Sequence, residues 1–171
     1  MQCSANKLIP YQKEVFINGE KITDELTVIK YEGKTYFSID KLQIYISKRF
    51  ISSENNTVTI RRDNVKPSFL LMSKEAVYID LEKLLQYVHI NNNVYKSTGN
   101  MFIDSMLPSS VNINGVTYYL TDEKIENFDV DQEQIDEVLV DGRGAWKDDS
   151  SYLIEDDWGN VYKFEKSKIG I

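Results

Sequence analysis

One cysteine, one histidine and three prolines in 171 residues remove whole classes of chemistry from consideration. Cys3 has no second cysteine to bridge to, so burial has to hold the fold, and the redox compartment stays open. His89 is the sole imidazole; without a second His or Cys beside it, neither an ordinary zinc site nor a Cys-His or Ser-His-Asp relay can be assembled. Its expected place is the end of a helix, where a positive charge meets the negative pole of the dipole. No apolar run approaches the roughly 20 residues that span a bilayer. The chain opens without the pattern of a signal peptide and has no glycine-rich phosphate loop.

What the chain does have is self-similarity. Sliding it by 42 positions lays Val28-Ile29-Lys30-Tyr31 on Leu70-Leu71-Met72-Ser73, Thr35-Tyr36-Phe37 on Val77-Tyr78-Ile79, and Asp40-Lys41-Leu42 on Glu82-Lys83-Leu84. Each copy, 26–60 and 68–103, opens with two β-branched or aromatic runs around a turn, which predicts a hairpin. Ser38 and Asp80 then stand where a side chain can cap a first helical turn. Ile39, Leu42, Tyr45 and Ile46 follow the first cap, and Leu81, Leu84, Leu85 and Val88 the second, each set forming one apolar stripe. Helices this short need a surface to lie on, so each is expected across its own hairpin, with a further strand pair closing the unit. The predicted class is α+β: two tandem hairpin-helix-hairpin repeats, antiparallel sheet on short helices, then a small, mostly β module.

Val15-Phe16-Ile17-Asn18-Gly19, Gly33-Lys34-Thr35-Tyr36-Phe37-Ser38 and Asn56-Thr57-Val58-Thr59-Ile60 together resemble the copper amine oxidase N-terminal-like, or stalk, domain of secreted bacterial proteins over residues 14–104. The resemblance implies an extracytoplasmic spacer or ligand-holding domain and no copper site. Cys3-Ser4-Ala5-Asn6-Lys7 resembles the mature start of a bacterial lipoprotein, which implies lipidation at Cys3 as the one membrane attachment; the alternative is an ordinary thiol near a frayed end.

Residues 1–13 have no sustained period and read as an N-terminal tether, and residues 105–110 as a linker into an acidic C-terminal α+β module at 111–171. There Thr121 or Asp122 is expected to cap a short helix. Strands are expected at 135–140, 152–154 and 161–164, with turns at Gly142-Arg143-Gly144 and Asp157-Trp158-Gly159-Asn160. Asn114-Gly115-Val116-Thr117-Tyr118-Tyr119-Leu120 through Lys124, with Ile135-Asp136-Glu137-Val138, resembles a repeat of lantibiotic-immunity lipoproteins of the nisin-immunity type, which implies interception of a cationic peptide outside the membrane.

Charge is split along the chain. Through Asp104 there are 14 basic and 12 acidic residues, from Ser105 on 6 and 15, so a net of +2 is followed by −9. Such a field repels nucleic acid and concentrates cations. Asp148, Asp149, Glu155, Asp156 and Asp157, interleaved with Trp146, Tyr152 and Trp158, form its densest stretch. Ring faces beside carboxylates could grip a cationic, partly apolar ligand; the competing reading is a solvated acidic surface over core tryptophans. Calcium would want alternating oxygens that this stretch lacks, so no metal and no cofactor is expected. These features point to a non-enzymatic, extracytoplasmic binding or interaction protein of the cell envelope, meeting a cationic peptide or envelope protein through its acidic third. A purely structural envelope spacer is the alternative, and a carboxylate-based envelope hydrolase using Glu155 with Asp148 or Asp149 the third reading.

Overall fold

The computed structural model describes residues 8–166 except 56, 75, 95, 96, 127, 129–136, 141 and 142. The chain divides into two compact units, 1–105 and 106–171.

In the first unit, strands β1 (Ile9–Pro10), β2 (Val15–Ile17) and β3 (Glu20–Lys21) precede the hairpin β4 (Val28–Tyr31) to β5 (Lys34–Ser38). Helix α1 (Ile39–Tyr45) leads to β6 (Ile51–Glu54), β7 (Thr57–Ile60) and β8 (Asp63–Asn64). A second hairpin, β9 (Leu70–Met72) to β10 (Val77–Asp80), leads to α2 (Leu81–Leu84) and the pair β11 (Asn91–Val94) and β12 (Met101–Asp104). The fold of the described residues is therefore α+β and mostly strand, with two short helices.

Both helices start as the side chains dictate: Lys41 N–H donates to Ser38 Oγ at 3.4 Å, and Glu82 N–H donates to Asp80 Oδ1 at 3.0 Å. The two hairpins merge into one antiparallel sheet, β1-β4-β5-β10-β9, with Phe37 opposite Ile79 at its centre. Each of these two side chains is fully buried, worth about 2–3 kcal/mol on area grounds. α1 and α2 both pack on β5 and β10 rather than each on its own hairpin, because the merged sheet presents those strands side by side. α2 is shorter than expected. Leu85 N–H is shared between the carbonyls of Leu81 and Lys83, which tightens the last turn, and Leu85 is left 41 % exposed while Val88 is buried beyond the helix. His89 accordingly follows the helix instead of ending it.

The remaining strands form two smaller sheets, β6-β7-β8 and β11-β12-β2-β3. In the latter β12 runs parallel to β2, and Phe102 and Phe16, which face each other in register, stack at 4.9 Å. Residues 8–13 are not part of a tether. Ile9 and Pro10 pair with Lys30 and Ile29, Tyr11 N–H donates to the Val28 carbonyl, and Leu8 packs on the cluster around Ile29, Tyr36 and Tyr78. Pro10 is tolerated because β1 is the edge of its sheet. Residues 1–7, Cys3 among them, lie outside the described residues.

The second unit is one antiparallel sheet of β13 (Ser110–Ile113), β14 (Val116–Ile125), β15 (Glu137–Val140), β16 (Arg143–Asp148), β17 (Ser151–Glu155) and β18 (Val161–Glu165), in the order β13-β14-β18-β17-β16-β15. Alternation sorts its apolar side chains onto two faces: Val111, Tyr118, Ala145, Ile154 and Phe164 on one, Trp146, Leu153 and Val161 on the other. The helix expected after Thr121 is strand, since β14 runs on to Ile125 through an irregularity where Thr121 Oγ1 donates to the Lys163 carbonyl. Arg143 and Gly144 belong to β16 and not to a turn. A Cβ on Gly144 would sit 2.7 Å from the Trp146 ring, so this glycine makes room for the indole. Nor do residues 106–110 behave as a free linker: the Met106 carbonyl accepts from Asp157 N–H and from Arg143, Leu107 packs against the Val111 cluster, and β13 begins at Ser110.

Candidate functional site

The aromatic and acidic residues singled out in the second unit are gathered along β16, β17 and the turn into β18, but most face inward. Trp146 is 2 % exposed and tilts onto Phe128 at 4.8 Å, and Trp158 is 1 % exposed. Tyr152 is buried edge-on against Tyr118 at 4.9 Å. None of these rings offers a face to a ligand from solvent; they are core, because β17 is covered on both sides and its neighbours supply the cover.

The carboxylates divide in the same way. Asp156, 3 % exposed, closes the turn before β18: its Oδ1 accepts from Trp158 N–H and Asn160 N–H, each at 2.9 Å. Asp157 pairs with Arg143 Nη1 at 2.7 Å, and Glu155 Oε1 accepts from Gly144 N–H at 3.3 Å. Only Asp148 and Asp149, at the β16–β17 turn where Asp149 has φ +52°, are fully on the surface. Burial pushes the nearby Tyr162 phenol above its ordinary value, with the charges of Asp156 and Glu126 adding to the effect.

A concave site stands elsewhere, in the first unit, where a cleft of about 700 Å³ opens between residues 11–15 and 21–28. That volume is in the range of small-ligand sites, roughly 300–1,000 Å³. Its first wall is laced to the 97–101 segment: Tyr11 donates its hydroxyl proton to the Gly99 carbonyl at 2.8 Å, Glu14 N–H donates to Asn100 Oδ1 at 3.1 Å, and Met101 N–H donates to the Glu14 carbonyl at 2.9 Å. The Lys13 stem lies so close over Gly99 that a Cβ there would meet its Cγ at 2.9 Å, and the glycine's φ of +78° suits no other residue well.

The second wall is fixed by Asp24. Its Oδ1 accepts from Leu26 N–H at 2.9 Å and its Oδ2 meets Lys41 Nζ at 2.8 Å, which holds the carboxyl below its ordinary pKa and the ammonium above. Lys21 and Glu14 pair at 3.0 Å in solvent, a contact worth well under about 1 kcal/mol. Thr27 also lines the cleft, 2 % exposed, with its Oγ1 buried and unpartnered. The lining is thus mostly hydroxyl, amide and balanced charge, suited to a polar ligand. A smaller cavity of about 360 Å³ lies by Tyr11, Lys34, Asp80 and Leu85, where Lys34 reaches Asp80 at 3.9 Å.

Sequence reasoning missed the cleft because its first wall, 11–15, is set by bonds to residues 99–101, more than 80 positions away. The local signal is the pair Gly99-Asn100, residues that favour a turn. Compared with known protein families, curated proteins and solved structures, the chain matches none of them.

Proposed function

We propose that the protein is a non-enzymatic, extracytoplasmic binding or interaction protein of the cell envelope, which attracts a cationic peptide or protein through its acidic second unit. The observation that carries this reading is a net charge of −9 from Ser105 on, with Asp148 and Asp149 exposed at a hairpin turn. With Trp146, Tyr152 and Trp158 withdrawn into the core, the contact is electrostatic and not an aromatic grip. A cleft suited to a polar ligand favours a binding role over a pure spacer.

Residues 26–60 and 68–103 are, in this reading, two copies of a stalk-like module. In support, each contains a hairpin, a helix capped at matching positions by Ser38 or Asp80, and a further strand pair. Cys3 is the proposed lipid-attachment point that places the protein on the outer surface.

Isothermal titration with a Lys/Leu-alternating peptide at 50 and 300 mM salt tests the proposal. Affinity should fall several-fold with salt, and again in the double variant Asp148→Asn, Asp149→Asn. Affinity indifferent to both would end it.

A further inference from the structure

Among the described residues, Asn18-Gly19, Glu32-Gly33 and Asn114-Gly115 each have positive φ at both positions (49° and 81°, 49° and 79°, 51° and 84°). All three join paired strands, and all three put glycine second, as a turn of this hand favours. The turn between β7 and β8 has the same geometry and different residues. Ile60 pairs with Asp63, and between them Arg61 and Arg62 sit at φ 52° and 72°. A residue other than glycine adopts that conformation uncommonly, and here two cations adopt it in succession.

The tip is held in place. Arg61 N–H donates to the Phe50 carbonyl at 2.7 Å, and the Arg61 guanidinium lies 4.8 Å from the Phe50 ring centroid. Arg61 and Arg62 are exposed. Lys48 and Arg49 immediately precede Phe50, so the start of β6 brings two further cations toward the same end of the sheet. Among the described residues Lys48, Arg61 and Arg62 form no ion pair, although the carboxylate of Asp63 is next in the chain.

We propose that this β7–β8 tip, with Lys48 and Arg49, binds a linear phosphate polyanion. A guanidinium presents paired N–H groups at the spacing of two phosphate oxygens. Lys48, Arg61 and Arg62 are exposed, so a single anion there would be held only through water-screened attraction; a chain of phosphates lets several cations act together. The apolar neighbours Val58, Ile60 and Val65 are buried, so the tip carries charge without an apolar wedge, which suits a soluble polymer better than a bilayer surface. The inference concerns the first unit and does not depend on the acidic contact proposed above.

The full chain is titrated with long-chain inorganic polyphosphate, with orthophosphate, and with phosphatidylglycerol vesicles. Polyphosphate should bind with strong salt dependence. The variant Arg61→Asn, Arg62→Gly, which supplies the residues the turn selects, should keep or raise the melting temperature, bind about 10-fold or more weakly, and show a log K against log salt slope shallower by about 1 to 2. A second variant, Arg61→Lys, Arg62→Lys, keeps the charge and should retain the salt slope with several-fold weaker binding. Unchanged affinity in the Asn-Gly variant, no affinity for polyphosphate, equal potency of orthophosphate per phosphate, or tighter binding to the vesicles than to the polymer would each overturn the proposal.

Discussion

Asp156 offers the sharpest test of whether the acidic stretch is contact surface or internal structure. Its carboxylate oxygen takes two backbone N–H groups, those of Trp158 and Asn160, each at 2.9 Å, in a turn also closed by Asp156 N–H to the Asn160 carbonyl at 2.8 Å. Replacing it with alanine leaves both donors without that acceptor. An orphaned buried donor costs about 1–3 kcal/mol. Asn160 is only partly buried and recovers some of this from water, and removing a desolvated charge returns more, so Asp156→Ala should lose about 2–3 kcal/mol. Asp156→Asn keeps an oxygen in place and forgoes only the charge, a loss of about 1 kcal/mol. The readout is direct: both tryptophans of the chain, Trp146 and Trp158, lie buried in the second unit, so urea unfolding followed by indole emission reports on that unit alone. At about 4–8 °C per kcal/mol for a domain of this size, the alanine variant should melt about 10–20 °C lower. If Asp156→Ala falls within about 0.5 kcal/mol of the parent, or Asn proves as costly as Ala, the carboxylate does not hold the turn.

Two further outcomes follow from single groups. Thr27→Val replaces a buried, unpartnered hydroxyl with a methyl of like shape and should leave thermal stability, followed by far-UV circular dichroism, unchanged or up to about 1 kcal/mol higher; a clear loss would mean the hydroxyl is bonded in solution. Tyr162 is raised from 10.0 chiefly by burial, so its neutral form is favoured by folding; its contribution is intact below pH about 10 and declines as pH rises from there through the raised folded value. Melting of the second unit should therefore drop on the alkaline side more steeply in the parent than in Tyr162→Phe, and parallel curves would contradict this.

What the sequence disclosed was local. Asn-Gly and Glu-Gly announced their hairpins, and Ser38 and Asp80 their helices, because a turn or a cap is decided by a few adjacent side chains. The pairing of strands was not local. That Phe37 meets Ile79 in one sheet, or that Met101 runs parallel to Val15, depends on burial across more than 40 and more than 80 positions, and no neighbour in the chain encodes it. The tryptophans follow the reading of core residues under an acidic surface and not that of a ligand grip, and the sequence left the two open for a related reason. β17 is Ser-Tyr-Leu-Ile-Glu with its first four residues buried on both faces, so it shows no alternation from which an outward side could be read. Acidic neighbours then suggested exposure. The clue to the contrary was Gly144 two positions before Trp146, the distance at which strand side chains share a face.

The fate of the carboxylates separates two effects that composition alone runs together. Asp156 is consumed by backbone donors, Asp157 by Arg143 and Glu155 by Gly144 N–H, so three of the five expected contact groups have partners inside the fold. A local grip needs free, exposed groups, and here that leaves Asp148 and Asp149. A field at a distance needs only net charge, and pairing within the unit does not change the −9 carried from Ser105 on. Under the proposed function, selectivity for a cationic partner would therefore reside more in the rate of encounter than in the lifetime of the complex, since steering acts through the long-range potential while dissociation is set by contacts made. Screening over roughly 8–10 Å at physiological salt then weakens attraction well before it disturbs the fold, whose internal pairs at 2.7–2.9 Å are shielded by burial.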